Sequence, residues 1–305
     1  MKTINTSDTS FEATLLAFVR ISQPGLMAIV ALTYSLGAAV AWYLGYRYPL
    51  GLLLQGLGLI LTVQVMGRLL LARDELSSAP DDPRPSIFPS TTVHSQAAGV
   101  STETLLYTAM AVLALGGIQA GALLIQGSPP PAWILLVLIT LIAFFFPQLR
   151  RAGLGEVLLS IASSLTLAFA FTLLSGAFHQ LVLLTSIPVA ALAFAAQIVL
   201  ALPCYAYDLK HHRDNVLTRA GWETGMWFHD LALLIAAASL AIAPLVGLPG
   251  RIAAGTLIAA PLAVVQYLHM RRIQSGSPPK WRMTAYLALS LYILTVYLLL
   301  MGYIL

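Results

Sequence analysis

Charge is what this sequence has least of. Of its 305 residues only 9% are Asp, Glu, Lys or Arg, and 59% are apolar; a soluble globular domain carries roughly 25% and 45–50%. Too few polar side chains remain to cover a water-facing surface. A soluble domain is excluded, and most of the chain must lie in lipid. Cysteine is nearly absent as well: Cys204 stands alone, which excludes an intrachain disulfide and a zinc knuckle. Neither sign of charge is in large excess. A net charge of +4 is a poor basis for gripping a phosphate backbone, so nucleic acid is not an expected partner. Ten-residue segments of alternating polarity, the signature of a membrane barrel, are missing too. The first long apolar run is not followed by a small-residue cleavage site, so it reads as a retained membrane segment rather than a signal peptide.

What is present is a series of long apolar runs. A helix needs about 20 apolar residues to cross the ~30 Å hydrocarbon core. Clusters of charge, Pro and Gly divide the chain into nine candidates, near residues 25–45, 50–71, 102–126, 132–148, 156–177, 180–204, 226–247, 251–270 and 284–304. The expected fold is all-α: a polytopic membrane helical bundle of nine transmembrane helices. Residues 1–24 form a cytoplasmic N-terminal segment, and 25–305 form one transmembrane domain. Pro188, Pro244 and Pro261 fall inside spans and should kink them. Gly56, Gly58 and Gly67 are placed to let helices approach closely.

The positive-inside rule orients the spans. With the N-terminus in the cytoplasm and sides assigned alternately, 14 of the 16 Lys and Arg residues fall inside; only Arg47 and Arg251 fall outside. The expectation is an integral multi-pass protein of the plasma membrane, N-terminus in and C-terminus out.

Six of the twelve acids gather in two loops on the same side: Asp74, Glu75, Asp81 and Asp82 after the second span, Asp208 and Asp214 after the sixth. Arg73, Arg84, Lys210, Arg213 and Arg219 are interleaved with them. One reading is a pair of solvated loops. The other starts from the mixture of signs. Carboxylates alone suit a hard divalent cation, whereas carboxylates among guanidinium and ammonium groups suit an anion held through Mg²⁺ and directly. A diphosphate with a hydrocarbon tail has that demand. Arg68 adds a charge just inside the end of an apolar span, where charge is costly; it either serves a site or snorkels to the interface.

These segments resemble the UbiA superfamily of intramembrane prenyltransferases. The opening Phe18-Val-Arg-Ile-Ser-Gln-Pro24 is similar to the family's lead-in to its first helix. Gln64 to Glu75, followed by Asp81, occupies the place of the first aspartate-rich motif, and the Glu75–Asp81 separation resembles the menaquinone-type branch. Arg73-Asp-Glu75 followed by Arg84-Pro85 also resembles a more divergent branch, and Gly153-Leu-Gly-Glu156 a branch signature. Tyr207 to Asp214 stands where the second motif belongs, followed by Leu217-Thr-Arg-Ala-Gly-Trp-Glu223. Two departures stand out. Leu71 replaces the Asn that opens the first motif, and His211 and Asn215 replace two acids of the second.

The resemblance implies an enzyme that transfers a prenyl group from an allylic prenyl diphosphate to an aromatic or other lipophilic acceptor within the membrane. It implies Mg²⁺ as cofactor and Glu75, Asp81, Asp208 and Asp214 as the catalytic carboxylates. Those four with Asp74 are the expected metal-holding residues, and Arg68, Arg84, Lys210 and Arg213 the diphosphate-binding ones. Two other classes are weighed against it. A transporter would call for charges near span centres and discontinuous helices. A family member that has lost catalysis and binds lipid or partners would explain Leu71 and His211.

Overall fold

Backbone amides in a bilayer have no water to bond, so runs this apolar close their hydrogen bonds internally as helices. The computed structural model describes residues 11–77 and 100–305, with side chains from residue 16 onward. Its helices are α1 (Phe11–Ser22), α2 (Pro24–Tyr43), α3 (Leu50–Ser77), α4 (Thr102–Ile125), α5 (Pro130–Arg151), α6 (Gly155–Ser175) and α7 (Gln180–Ala201). They continue with α8 (Tyr205–Lys210), α9 (Val216–Ala220), α10 (Trp222–Ile242), α11 (Gly250–Thr256), α12 (Ala260–Gln274) and α13 (Trp281–Ile304). No strand occurs among the described residues. Nine helical stretches there are long and apolar enough to cross a membrane, and they coincide with the nine expected spans. The protein is an integral, multi-pass membrane protein.

Proline acts on these spans in two ways. Pro147 and Pro188 are absorbed inside α5 and α7. Pro203 and Pro244 instead lie in short 3₁₀ stretches, Leu202–Cys204 and Ala243–Val246, and Pro261 opens α12 directly after a third, Leu257–Ala259. A proline lacks the amide that would bond back along the helix, and the tighter 3₁₀ turn accommodates the gap.

Lipid tails are as apolar as leucine, so helix association in a bilayer depends on close packing and interhelical hydrogen bonds rather than on the hydrophobic effect. Both are visible. α2 packs on α6 and α13, α7 packs on α6, α10 and α13, and α3 packs on α4 and α5. The last span thus returns to the first. Thr33 and Tyr292 share a hydroxyl bond of 3.0 Å between α2 and α13, Thr185 and Tyr303 one of 2.7 Å between α7 and α13. Ser164 Oγ donates to the Ser186 carbonyl at 3.1 Å between α6 and α7.

Glycine supplies the close approaches at some of the expected positions. A Cβ on Gly56 would lie 2.3 Å from Tyr34 Oη, and one on Gly67 3.2 Å from Ala143 of α5. Gly58 departs from expectation, since nothing lies within 4 Å of its Cβ position. The tightest approach to another helix's backbone is one the sequence did not flag: a Cβ on Gly37 of α2 would collide with the Leu167 carbonyl oxygen on α6. Gly37→Ala should therefore force α2 off α6 and lower stability by roughly 1–3 kcal/mol, as overpacking does. Gly58→Ala should be neutral or stabilising by up to about 1 kcal/mol through helix propensity. Thermal unfolding in detergent checks this; equal shifts for the two variants would refute the close-packing account.

The two ends of the bundle differ in character. One carries Arg47, stacked 4.1 Å over Trp42, and Arg251, whose Nη1 donates to the Leu305 carbonyl at 3.2 Å. In the turn at that end, Tyr48 Oη donates to the Ala38 carbonyl at 3.0 Å, and burial raises its phenol pKa above the usual value. The opposite end gathers the acidic segments and most of the cations. Amphipathic α1 packs on α2 and α3, with Ala17 and Ile21 buried and Leu16, Val19 and Arg20 outward.

Candidate functional site

The first acidic segment is helical. α3 runs six residues beyond the apolar stretch that ends at 71, so Asp74 and Glu75 sit in its final turns. Each meets an arginine from the end of α5. Arg150 Nη1 donates to Glu75 Oε1 at 2.7 Å. Arg151 forks onto Asp74, with Nε 3.3 Å from Oδ2 and Nη2 against Oδ1. Two guanidinium groups on adjacent carboxylates form strong, directional pairs when partly shielded from water. In the sequence they are an Arg-Arg pair at the end of a span, which the positive-inside rule explains without any site. That is why sequence reasoning misses their place beside Asp74 and Glu75.

Arg68 lies two turns further into the span on the same face as Glu75, close enough to interact with Glu75 and Arg150. It lines a narrow cleft of about 30 Å³ between α3, α5 and α6, together with Gln64, Leu71, Phe146 and Leu159. Leu71 is thus part of an apolar wall. Asp81, Asp82 and Arg84 lie outside the described residues.

In the second segment, Asp208 is fully buried, and its Oδ2 accepts from Asn215 Nδ2 at 2.8 Å. The same Asn215 caps α9: its Oδ1 accepts from the Thr218 amide at 2.8 Å, and Thr218 Oγ1 accepts from the Asn215 amide at 2.8 Å. This reciprocal cap fixes the loop conformation that delivers Nδ2 to Asp208. Asp214 turns outward and pairs with Arg219 Nη2 at 2.9 Å. Asn215, rather than Asp214, is the neighbour that reaches Asp208. His211 donates Nδ1–H to the Tyr207 carbonyl at 2.9 Å and lies against the Tyr207 ring, with centroids 4.0 Å apart. Arg213 covers the same ring at 5.6 Å. Lys210 is exposed at the end of α8. Both positions that depart from the second motif are therefore engaged locally, Asn215 in organising the loop and His211 in packing on Tyr207.

A short turn connects the two segments. Arg150 and Arg151 stand on one side of it. On the other, Glu156 Oε2 accepts from the Val216 amide at 3.4 Å, and Arg219 crosses Gly153 so closely that a Cβ there would lie 2.7 Å from its Nε. Gly153 also has φ +73°, a left-handed conformation that favours glycine. Residues 150–156 thus touch both acidic segments and hold them at one end of the bundle.

The donor chemistry at this end fits a hard divalent cation such as Mg²⁺, because Asp74, Glu75 and Asp208 all offer carboxylate oxygens. The softer imidazole of His211 is engaged with Tyr207 instead. Among the described residues no three His, Cys, Asp or Glu side chains come together.

The fold is shared with solved intramembrane proteins. A UbiA homologue from Aeropyrum pernix K1, without ligand, superposes with a TM-score of 0.64 at 16% identity, covering 91% of this chain and 98% of that one. A digeranylgeranylglyceryl phosphate synthase superposes at 0.66 and 12% identity, covering 95% and 97%. A UbiA homologue from Archaeoglobus fulgidus, bound to GPP and Mg²⁺, superposes at 0.63 and 15%, covering 93% and 99%. No curated protein matches the sequence. The pattern of the UbiA prenyltransferase family itself matches residues 96–294, which take in six complete spans from α4 through α12, most of the seventh, α13, and the whole second acidic segment. By that match over more than half of its length, this chain belongs to the UbiA prenyltransferase family.

Proposed function

We propose that this protein transfers a prenyl group from an allylic prenyl diphosphate to an aromatic or other lipophilic acceptor within the membrane. The observation that carries the reading is the 150–156 turn, which ties Asp74 and Glu75 on one side and the Asp208 loop on the other to one end of an apolar bundle. A diphosphate needs carboxylates for its metal and cations for itself, and the hydrocarbon tail needs lipid or an apolar cleft. This end of the bundle offers each of them, with Asp74 and Glu75 on α3 and Asp208 on α8.

Asp74, Glu75 and Asp208 would hold Mg²⁺, with Asp81 and Asp214 completing the set the sequence suggests. A metal held by these carboxylates would supply positive charge to offset that on a departing diphosphate. Arg68 and Arg150, close to Glu75, attract the diphosphate and stabilise the charge that grows on it as the carbon–oxygen bond breaks. Arg84, Lys210 and Arg213 are further clamps in this scheme. Leu71, Phe146 and Leu159 exclude water from the cleft beside Arg68, which protects an allylic cation from capture by solvent. The acidic end faces the cytoplasm, and the membrane is the plasma membrane.

A second reading, a family member without catalysis, draws on the pairing of Asp74, Glu75 and Asp214 with arginines. One assay separates the two. Purified protein in nanodiscs is given Mg²⁺, labelled geranylgeranyl diphosphate and a panel of acceptors that includes a naphthoquinone precursor. The enzyme should form a labelled lipophilic product that disappears with EDTA and returns with added Mg²⁺. Metal-dependent binding of a non-hydrolysable prenyl diphosphate is also expected. Absence of both product and binding would establish the second reading.

A further inference from the structure

Positive charge stands unopposed at one place in this bundle. Beyond Asp230 the chain holds no further Asp or Glu, yet Arg271, Arg272, Lys280 and Arg282 crowd the turn between α12 and α13. The other turns at the acidic end mix cations with carboxylates. Arg271 is engaged internally: Nη2 donates to Asp230 Oδ2 on α10 at 3.0 Å, Nε to Tyr267 Oη at 3.1 Å and Nη1 to Gln274 Oε1 at 2.9 Å. Arg272, Lys280 and Arg282 are exposed and form no ion pair with any described residue. Like charges gathered in a folded protein repel one another, and a bound anion relieves that repulsion.

The turn keeps these cations close. The Arg272 carbonyl accepts from the Ser277 amide at 3.0 Å and from Ser275 Oγ at 2.9 Å, which folds the chain back on itself. His269 Nε2 and Thr284 Oγ1 lie 3.0 Å apart across the hairpin, and helices in contact have axes about 8–10 Å apart. Arg272 stands one turn after His269, and Arg282 just before Thr284. Both therefore lie at the turn end of the hairpin, where long side chains can share one anion with Lys280.

The surroundings suit a lipid rather than a soluble anion. Trp281, between Lys280 and Arg282, meets Trp222 edge-on with ring centroids 6.1 Å apart, and Trp222 meets Tyr205 at 5.7 Å. Trp and Tyr gathered at the ends of membrane spans mark the headgroup level. One helical turn from the cations, on the same face, each helix presents an apolar body: Leu268 before Arg272 and Tyr286 after Arg282. Leu268 is 51% and Tyr286 58% exposed, and Met283 beside them is exposed as well. The same cations also serve orientation during insertion. That role ends once the helices are in place, whereas the unpaired charges persist in the folded protein.

We propose that the α12–α13 hairpin is a docking surface for an anionic phospholipid, with the headgroup phosphate held by Arg272, Lys280 and Arg282 and the acyl chains lying along Leu268, Met283 and Tyr286. This binding does not depend on prenyl transfer.

The test uses the full chain in phosphatidylcholine nanodiscs that contain a small fraction of a dibrominated lipid, either phosphatidylglycerol or phosphatidylcholine. Bromine quenches tryptophan only at close range, and the part due to Trp281 is the difference between the protein and its Trp281→Phe counterpart. Wild type should prefer the phosphatidylglycerol at least about 5-fold, the worth of one cation at a headgroup layer. Arg272→Gln and Arg282→Gln should each lower the preference. Replacing Arg272, Lys280 and Arg282 together by Gln should abolish it and leave thermal unfolding unchanged; should that triple variant fail to insert, the single variants decide. Arg47→Gln removes the same charge from the opposite end and should leave the preference intact. No preference in wild type, a preference kept in the single and triple variants, or an equal loss in Arg47→Gln would overturn the proposal. Displacement of the brominated lipid by inorganic phosphate would overturn it too, because the surface would then take a soluble anion.

Discussion

Asp208→Asn is expected to lower kcat/KM for prenyl transfer at least about 100-fold, a loss typical of removing a preorganised electrostatic contact, while the protein stays folded. The two parts of this expectation have separate causes. Asn keeps the size of Asp and an oxygen that can accept from Asn215 Nδ2, so the packed environment of residue 208 and the cap on α9 survive. What it loses is the negative charge that a hard cation requires. Asp208→Ala is the contrasting variant. It leaves Asn215 Nδ2 without this partner in a buried site, at a cost of about 1–3 kcal/mol, and so should lose stability as well as activity. Measuring turnover, Mg²⁺ titration and thermal unfolding together separates the effects. Asp208→Asn with near-normal turnover would reject the placement of Asp208 in the metal-holding set.

A charge exchange between Glu75 and Arg150 carries the next largest effect. Glu75→Arg and Arg150→Glu should each reduce transfer at least about 100-fold and lower stability by up to about 1 kcal/mol, as breaking a partly exposed pair does. The double exchange restores an ion pair of opposite polarity in the same place. Stability should recover in it and transfer should not, because the carboxylate now stands on α5 and the guanidinium on α3. If activity returns with stability, the pair is only a strut between α3 and α5, and Glu75 has no direct part in the chemistry. Salt should weaken the stability effect and leave the loss of activity, since screening acts on the exposed pair and not on the missing ligand.

Several features of this protein are legible without coordinates. Nine spans follow from the lengths of apolar runs, and they match the helices within a few residues at most ends. The placement of Lys and Arg at the acidic end follows from the same alternation. Legibility falls off where a residue's meaning depends on a partner distant in sequence. Arg150 and Arg151 look like orientation charges until α5 is seen to end beside α3. Glu156 has no visible partner along the chain because its contact is a backbone amide some sixty residues away. Asn215 reads as a lost acid; in the structure it caps α9 and bonds Asp208 with one side chain.

Composition and run length alone determined that this chain crosses a membrane as a helical bundle, because burying backbone in lipid permits few alternatives and each helix satisfies its own hydrogen bonds. Only the tertiary structure decided which arginine faces which acid and which proline breaks its helix. Those outcomes are set by contacts between helices, whose geometry depends on packing at positions such as Gly37 and Gly67 and leaves no periodic trace along the chain.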